Sequence, residues 1–183
     1  MTSTTSPTEA RPKIVLNLGC GTHQTEIPPG WTEIRVDADP SCDPDVVADL
    51  TDLPFPDGYA DGIFCDSVLE HLEEYRVGLA LREFARVLRD GGILCIRVPD
   101  LQKIAEFILE GRLLDELYPS PAGPVRPIDL LYGHGPQVAF HPLMAHRTGF
   151  TAASLSLYLQ GAGFDGTVAR MEGHELWAEV RKC

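Results

Sequence analysis

The run Ile14-Val15-Leu16-Asn17-Leu18 stops abruptly in Gly19-Cys20-Gly21-Thr22, and no other stretch constrains the fold as much. A short apolar segment with β-branched residues, bounded by a breaker, suits a parallel strand buried on both faces. Gly19 and Gly21 then let the backbone turn sharply and approach a ligand where a Cβ would collide. Such a turn usually opens a helix, whose unpaired N–H groups face whatever lies at the carboxyl end of the strand. The stretch therefore reads as a strand leading into the binding turn for a nucleotide-like cofactor.

The spacing of two glycines does not choose the cofactor. The dinucleotide fingerprint asks for a third glycine three residues after the second, and this chain has Gln24 there, which disfavours an NAD site. Trp31 to Val36 reads as a second strand ending in Asp37, sixteen residues beyond Gly21, where a carboxylate can accept both ribose hydroxyls. Asp39 precedes Pro40 and reads as a turn residue. Val46-Val47-Ala48-Asp49-Leu50 comes before Leu53-Pro54-Phe55-Pro56-Asp57-Gly58, and Ala60 to Cys65 forms a further apolar strand running into Val68-Leu69-Glu70-His71-Leu72.

With Asn-Leu-Gly-Cys-Gly, Leu-Pro-Phe-Pro-Asp and Leu-Glu-His-Leu in this order, the chain resembles the class I S-adenosylmethionine-dependent methyltransferases, in their small type 11-like branch. The resemblance continues through Arg86-Val87-Leu88-Arg89-Asp90-Gly91-Gly92, Val98-Pro99-Asp100 and His146-Arg147-Thr148-Gly149-Phe150, and so spans most of the chain. Each motif alone is common; their order is specific for fold and cofactor, though not for acceptor. The resemblance implies that S-adenosylmethionine is bound by Asn17, Gly19, Cys20, Gly21, Asp37, Asp49, Leu50 and Asp66. In that reading the glycine turn holds the aminocarboxypropyl end, with Asn17 supporting it where many relatives carry an acid. Asp37 takes the ribose, Asp49 and Leu50 border the adenine, and Asp66 falls beside the methionyl portion, where its charge replaces the one missing at Asn17. Relatives often have glycine in place of His23.

The remaining segments alternate as βα units do. Val77, Leu81, Phe84 and Leu88 recur at threes and fours, predicting an amphipathic helix from Val68 to Arg89 stopped by Gly91-Gly92. His71 lies early on it, in a packing or capping position. Arg76, Arg82, Arg86 and Arg89 share that stretch and read as a solvated face paired with Glu73, Glu74 and Glu83. Ile93 to Val98 is a strand, Leu101 to Glu110 a helix closed by Gly111, and Thr151 caps another helix running to Gln160. Thr167 to Met171 and Leu176 to Val180 make a closing antiparallel pair. The expected architecture is α/β: a Rossmann-like, doubly wound, mostly parallel seven-stranded sheet with an antiparallel C-terminal strand and helices on both faces.

A length of 183 residues suggests one domain. Residues 1–12 read as a flexible Ser/Thr-rich tail with no apolar core, neither signal peptide nor anchor, and residues 13–183 as a single methyltransferase domain. No run approaches a membrane-spanning length. Five cysteines without a C-x-x-C pair fit a reduced, cytoplasmic setting. A formal charge of −12 disfavours nucleic acid, whose binding depends on basic side chains. A homodimer in which each copy completes the other's pocket is compatible with the sequence, which does not fix the oligomeric state.

Residues 112–147, rich in proline, glycine and histidine, form an insertion expected to wall the acceptor site. Methyl transfer asks little of the protein beyond alignment, dehydration and, for a protonated acceptor, a base. His146, which opens His-Arg-Thr-Gly-Phe, is the first candidate base and His141 the second, with His134 and Tyr132 nearby. The same histidines suit helix capping or buried carbonyls. No metal is expected, because His141 and His146 stand five apart with neither cysteines nor an H-E-x-x-H frame. The expected activity is methyl transfer to oxygen or nitrogen of a small molecule. Its rivals are an S-adenosylmethionine-binding regulator, a rearrangement or elimination aided by the sulfonium, and an NAD module.

Overall fold

A computed structural model of the chain describes residues 12–22, 27–171 and 173–183. The expected tail therefore lies almost wholly outside the described residues. The chain runs through β1 (Lys13–Leu18), β2 (Trp31–Asp37), β3 (Val46–Val47), β4 (Ala60–Asp66), α1 (Glu74–Val87), β5 (Leu88–Pro99) and α2 (Leu101–Leu109). A hairpin of β6 (Tyr118–Ser120) and β7 (Gly123–Val125) and two short helices, α3 (Pro127–Tyr132) and α4 (Gly135–Phe140), come next. Helix α5 (Ala152–Gly161), β8 (Phe164–Arg170) and β9 (Glu175–Lys182) end the chain.

Seven strands form one sheet in the order β3-β2-β1-β4-β5-β9-β8. Strand β1 pairs in parallel with both β2 and β4, so the strand order reverses beside it. A crevice opens outside the carboxyl ends of the strands at such a reversal, and the glycine turn at the end of β1 stands there. The closing strand β9 runs antiparallel to β5 and to β8, as the sequence suggested.

Burial alternates along β5, where Leu94, Ile96 and Val98 are buried while Ile93, Cys95 and Arg97 stay partly exposed. The buried residues join Leu16 and Leu18 of β1, Ile63 and Cys65 of β4, Val77, Leu81 and Phe84 of α1, and Leu155 and Leu159 of α5 in the main core. Thr151 caps α5 by accepting from the Ser154 N–H, as expected from its position before the apolar run. A second, smaller cluster of Ile104, Val125 and Leu130 ties the segment after α2 to the body of the protein.

The structure corrects two element boundaries. The helix predicted from Val68 to Arg89 starts only at Glu74 and ends at Val87, and Leu69–His71 forms a separate 3₁₀ turn. Leu72 is extended (φ −83°, ψ 146°), which breaks the helical path that the apolar spacing suggested. Leu88 already pairs with Ala60, so Gly91-Gly92 lies inside β5 at a register shift rather than after a helix. Gly91, at φ +69°, supplies the bend such a bulge needs. The helix expected to open after Gly21 would fall on residues 23–26, outside the described residues, and the described residues flanking them form turns and irregular backbone.

Candidate active site

Two backbone conformations build the turn after β1. Gly19 (φ +69°) and Gly21 (φ +49°) both occupy the left-handed region, which costs a residue with a Cβ and which glycine adopts freely. The Gly19 and Cys20 N–H groups donate to the Val36 carbonyl at 2.8 and 3.2 Å, fastening the turn to β2. The Arg35 guanidinium fastens it again, donating to the Gly21 carbonyl at 2.7 Å and the Asp43 carbonyl at 2.9 Å. A Cβ built on Gly21 would meet nothing within 4 Å, so the backbone there is open to approach.

Asp37 faces that turn from the end of β2. Its Oδ2 accepts the Gly21 N–H at 2.8 Å and its Oδ1 accepts the Asp39 N–H at 2.9 Å. Each oxygen is thereby oriented by one main-chain donor and keeps further acceptor capacity. Asp39 uses its own side chain to cap the turn at Pro40–Cys42, in keeping with its reading as a turn residue. Asn17 is buried, and its side-chain amide donates to Glu33 Oε1 at 2.8 Å. Cys20 is also buried, and burial raises its thiol pKa, so it fills space beneath the turn as a neutral thiol.

Of the other expected cofactor residues, the two carboxylates are engaged in pairs that the sequence did not reveal. Asp49 accepts from the Thr51 N–H at 2.9 Å, the Thr51 hydroxyl at 2.8 Å and Arg76 Nη2 at 2.7 Å. Burial pushes the Asp49 carboxyl up, and these bonds more than offset it, leaving the pKa below its ordinary value. Leu50 is buried in the main core. Asp66, at the end of β4, is held by both Arg97 Nε, at 2.7 Å, and Arg97 Nη2. Ser67 follows with φ +56°, an unusual conformation for a residue with a Cβ, and donates its hydroxyl to Asp66. The chain leaves β4 through this strained residue.

The two candidate bases stand at different places. His141 lies with Nδ1 3.9 Å from Asp39 Oδ2, more than half exposed at the end of α4. His146 packs instead against His71, with ring centroids 4.9 Å apart and an interplanar angle of 71°. His146 Nδ1 bonds the Leu130 carbonyl at 2.8 Å and His71 Nδ1 the Ala145 carbonyl at 3.3 Å. The Arg147 and Thr148 N–H groups donate to the Glu70 carbonyl at 2.8 and 3.1 Å, so the segment after the insertion is laced to the turn at Leu69–His71.

Glu70 is the group that sequence reasoning passed over. Its side chain is buried, and its Oε2 has no hydrogen-bond partner among the described residues. Burial, with added repulsion from Asp66 and Glu175, pushes its pKa up to about 8. Burial and the neighbouring His146 push His71 down to about 4, and burial lowers His146 as well. The motif Leu-Glu-His-Leu was visible, but its position on an assumed helix hid the inward turn of the glutamate.

These shifts give opposite stability slopes. Glu70 rises from 4.5 to about 8 on folding, so its contribution is complete below pH 4.5 and is lost as pH climbs through 8. His71 falls from 6.5 to about 4, so its contribution is present above pH 6.5 and is lost as pH drops through 4. In EDTA-treated protein, Glu70→Gln should leave the urea midpoint at pH 5 nearly unchanged and raise it at pH 9. Equal losses between pH 5 and pH 9 in both proteins would show that Glu70 does not set the alkaline limb.

No curated protein sequence matches the chain. Residues 16–96, from β1 into β5, match the family model described as a methyltransferase domain. Among solved structures, a protein from Pyrococcus horikoshii is similar with a TM-score of 0.63 at 14% identity, over 93% of this chain and 82% of that one. A SAM-dependent methyltransferase from Methanosarcina mazei gives 0.62 at 15% identity, over 94% of each chain. The 1,6-didemethyltoxoflavin-N1-methyltransferase of Burkholderia thailandensis, solved with 1,6-didemethyltoxoflavin and S-adenosylhomocysteine, gives 0.56 at 18% identity, over 94% of this chain and 72% of that one. At these identities the likeness is one of fold.

Proposed function

We propose, from the match of residues 16–96 to the methyltransferase-domain family model and the shared fold, that this chain is a class I S-adenosylmethionine-dependent methyltransferase acting on an oxygen or nitrogen atom of a small molecule. The observation that carries the reading is the Asp37 carboxylate, oriented by the Gly21 and Asp39 N–H groups beside a turn whose backbone is open to a ligand. That arrangement fits a ribose diol next to a chain bearing a carboxylate and an ammonium. Gly19, Cys20 and Gly21 would hold the aminocarboxypropyl end, supported by Asn17, while Asp37 takes the ribose. Asp49 and Leu50 would border the adenine. Asp66, with Arg97 balancing its charge, would lie toward the methionyl portion.

When bound, S-adenosylmethionine supplies a methyl group already activated on a sulfonium. The work left to the chain is to align the acceptor, keep water out and receive a proton where the acceptor carries one. The insertion at 112–147 exposes Tyr132, Phe140, Leu143 and Met144, apolar side chains suited to the wall of an acceptor site. A carbonyl can only accept, so the bond from His146 Nδ1 to Leu130 places the proton on Nδ1. Nε2 then carries the lone pair, and burial keeps the ring neutral and ready to take a proton from the acceptor. His141 is the second candidate base. The net charge of −12 favours small, uncharged or cationic acceptors over polyanions.

The test is transfer of label from methyl-labelled S-adenosylmethionine across a panel of phenols, carboxylic acids and heteroaromatic amines. Label should appear in product, and His146→Ala should lower kcat by about a hundredfold or more with S-adenosylhomocysteine affinity unchanged. Tight adenosyl-ligand binding with no labelled product across the panel would instead favour a binding protein that transfers nothing.

A further inference from the structure

We propose that Glu70, His71 and His146 form a binding site for one divalent cation of the zinc class. One carboxylate oxygen of Glu70 and one ring nitrogen of each histidine lie within 4.8 Å of one another, and this is the one such group of three among the described residues. Two imidazoles and a carboxylate are the ligand set of open zinc sites, which keep a further position for water or substrate. Hard cations such as Mg²⁺ prefer oxygen shells and suit this set poorly.

Four features of the surroundings support a cation rather than chance proximity. Glu70 Oε2 is fully enclosed with no hydrogen-bond partner among the described residues, an arrangement that a protein rarely leaves without a compensating ligand. Each imidazole has Nδ1 on a main-chain carbonyl, His146 on that of Leu130 and His71 on that of Ala145, the outer support typical of metal-bound histidine. The ligands come from two distant segments, and the bonds from the Arg147 and Thr148 N–H groups to the Glu70 carbonyl hold those segments together before any cation arrives. Finally, the Asp66 and Glu175 carboxylates act electrostatically on Glu70 and deepen the negative potential, although Asp66 is partly balanced by Arg97. The Arg147 charge acts the other way on His71, and its guanidinium is taken up by Glu73 at 2.6 Å.

The site lies a few residues beyond the carboxyl end of β4, on the path that leaves Asp66. A bound cation would engage the His146 lone pair read above as a proton acceptor and would polarise an acceptor oxygen in its place. The inference rests on the geometry of these three side chains and not on methyl transfer. Ligands about 2.1 Å from zinc stand about 3.4 Å apart, so binding would draw these side chains in from separations of up to 4.8 Å.

The experiment is a calorimetric titration of the chelator-treated full chain with ZnCl₂, repeated with MgCl₂, on the natural protein, Glu70→Gln and His146→Ala. One Zn²⁺ per chain is expected, with a rise in Tm, and each variant should bind at least a hundredfold more weakly while keeping its circular dichroism spectrum. Glu70→Gln is isosteric and carries the test alone if His146→Ala does not fold. Absence of saturable Zn²⁺ binding, Zn²⁺ binding retained by the variants, or saturable binding of Mg²⁺ in its place would each overturn the proposal. S-adenosylhomocysteine is titrated on the same samples. A protein that binds it but not Zn²⁺ loses the metal site and keeps the cofactor reading, and the reverse result separates the two the other way.

Discussion

Replacing Asp37 with alanine is expected to weaken S-adenosylhomocysteine binding by about a hundredfold to a thousandfold while the protein stays folded. Hydrogen bonds to a charged group contribute about 1.5–3 kcal/mol each, and the carboxylate is placed to accept two from a ribose. The loss has a second source. Asp37 also receives the Gly21 and Asp39 N–H groups, so the variant unties the glycine turn from the end of β2 and leaves the binding backbone less ordered. Asp37→Asn keeps one acceptor oxygen and should fall between the two. Calorimetry on the three proteins decides the matter: affinity for Asp37→Ala within about threefold of the natural protein would falsify the ribose assignment. NAD should bind to none of them.

Gly19→Ala is expected to be strongly destabilising, for two separable reasons. At φ +69° an alanine takes up a left-handed conformation that costs about 1–2 kcal/mol. Its Cβ would also stand 2.4 Å from Val68 Cγ2 and 2.5 Å from Val68 Cγ1, and a branched side chain this short has little room to withdraw. Overpacking of that kind typically adds about 1–3 kcal/mol. The urea midpoint should fall accordingly, and cofactor binding should go with it because the turn is displaced. In Gly19→Ala/Val68→Ala the two γ-methyl contacts are removed while the tight 3.0 Å approach to the Cβ of residue 68 and the backbone cost stay, so part of the lost stability should return. Gly21→Ala meets nothing within 4 Å and should show the backbone cost alone. If the double variant recovers nothing, the contact between the glycine turn and Val68 is not what limits position 19.

That contact also shows where sequence reasoning stops. Val68 and Gly19 follow the ends of β4 and β1, two parallel neighbours in the sheet, and their proximity follows from strand order and not from any local pattern. The ion pairs behave in the same way. Arg76 and Arg86 were expected to pair with glutamates of their own stretch, and both do, Arg86 with Glu83 at 2.6 Å and Arg76 with Glu73 at 3.8 Å. Yet Arg76 also takes Asp49, Arg86 also takes Asp57, and Arg89 takes Asp61, all from segments outside α1. Helical spacing can report only partners one turn away, whereas a long guanidinium reaches whichever carboxylate the neighbouring loop presents. Misplacing the helix start at Val68 had the same origin, because apolar residues at threes and fours continue through a 3₁₀ turn without announcing that the path has changed.

What the sequence by itself determined is everything encoded in near neighbours: the strand that stops in glycine, the carboxylate that ends the next strand, the alternation of elements and the capping Thr151. Those features follow from local sterics and from hydrophobic periodicity, which act over a few residues whatever the rest of the chain does. Only the tertiary structure decided that Asp66 meets Arg97, that His146 meets His71 rather than His141, and that Glu70 points inward without a partner among the described residues. Each of these depends on which strand ends lie side by side and on the low-dielectric space they enclose, and burial there reshapes both the pairing and the charge of groups that look ordinary when read along the chain.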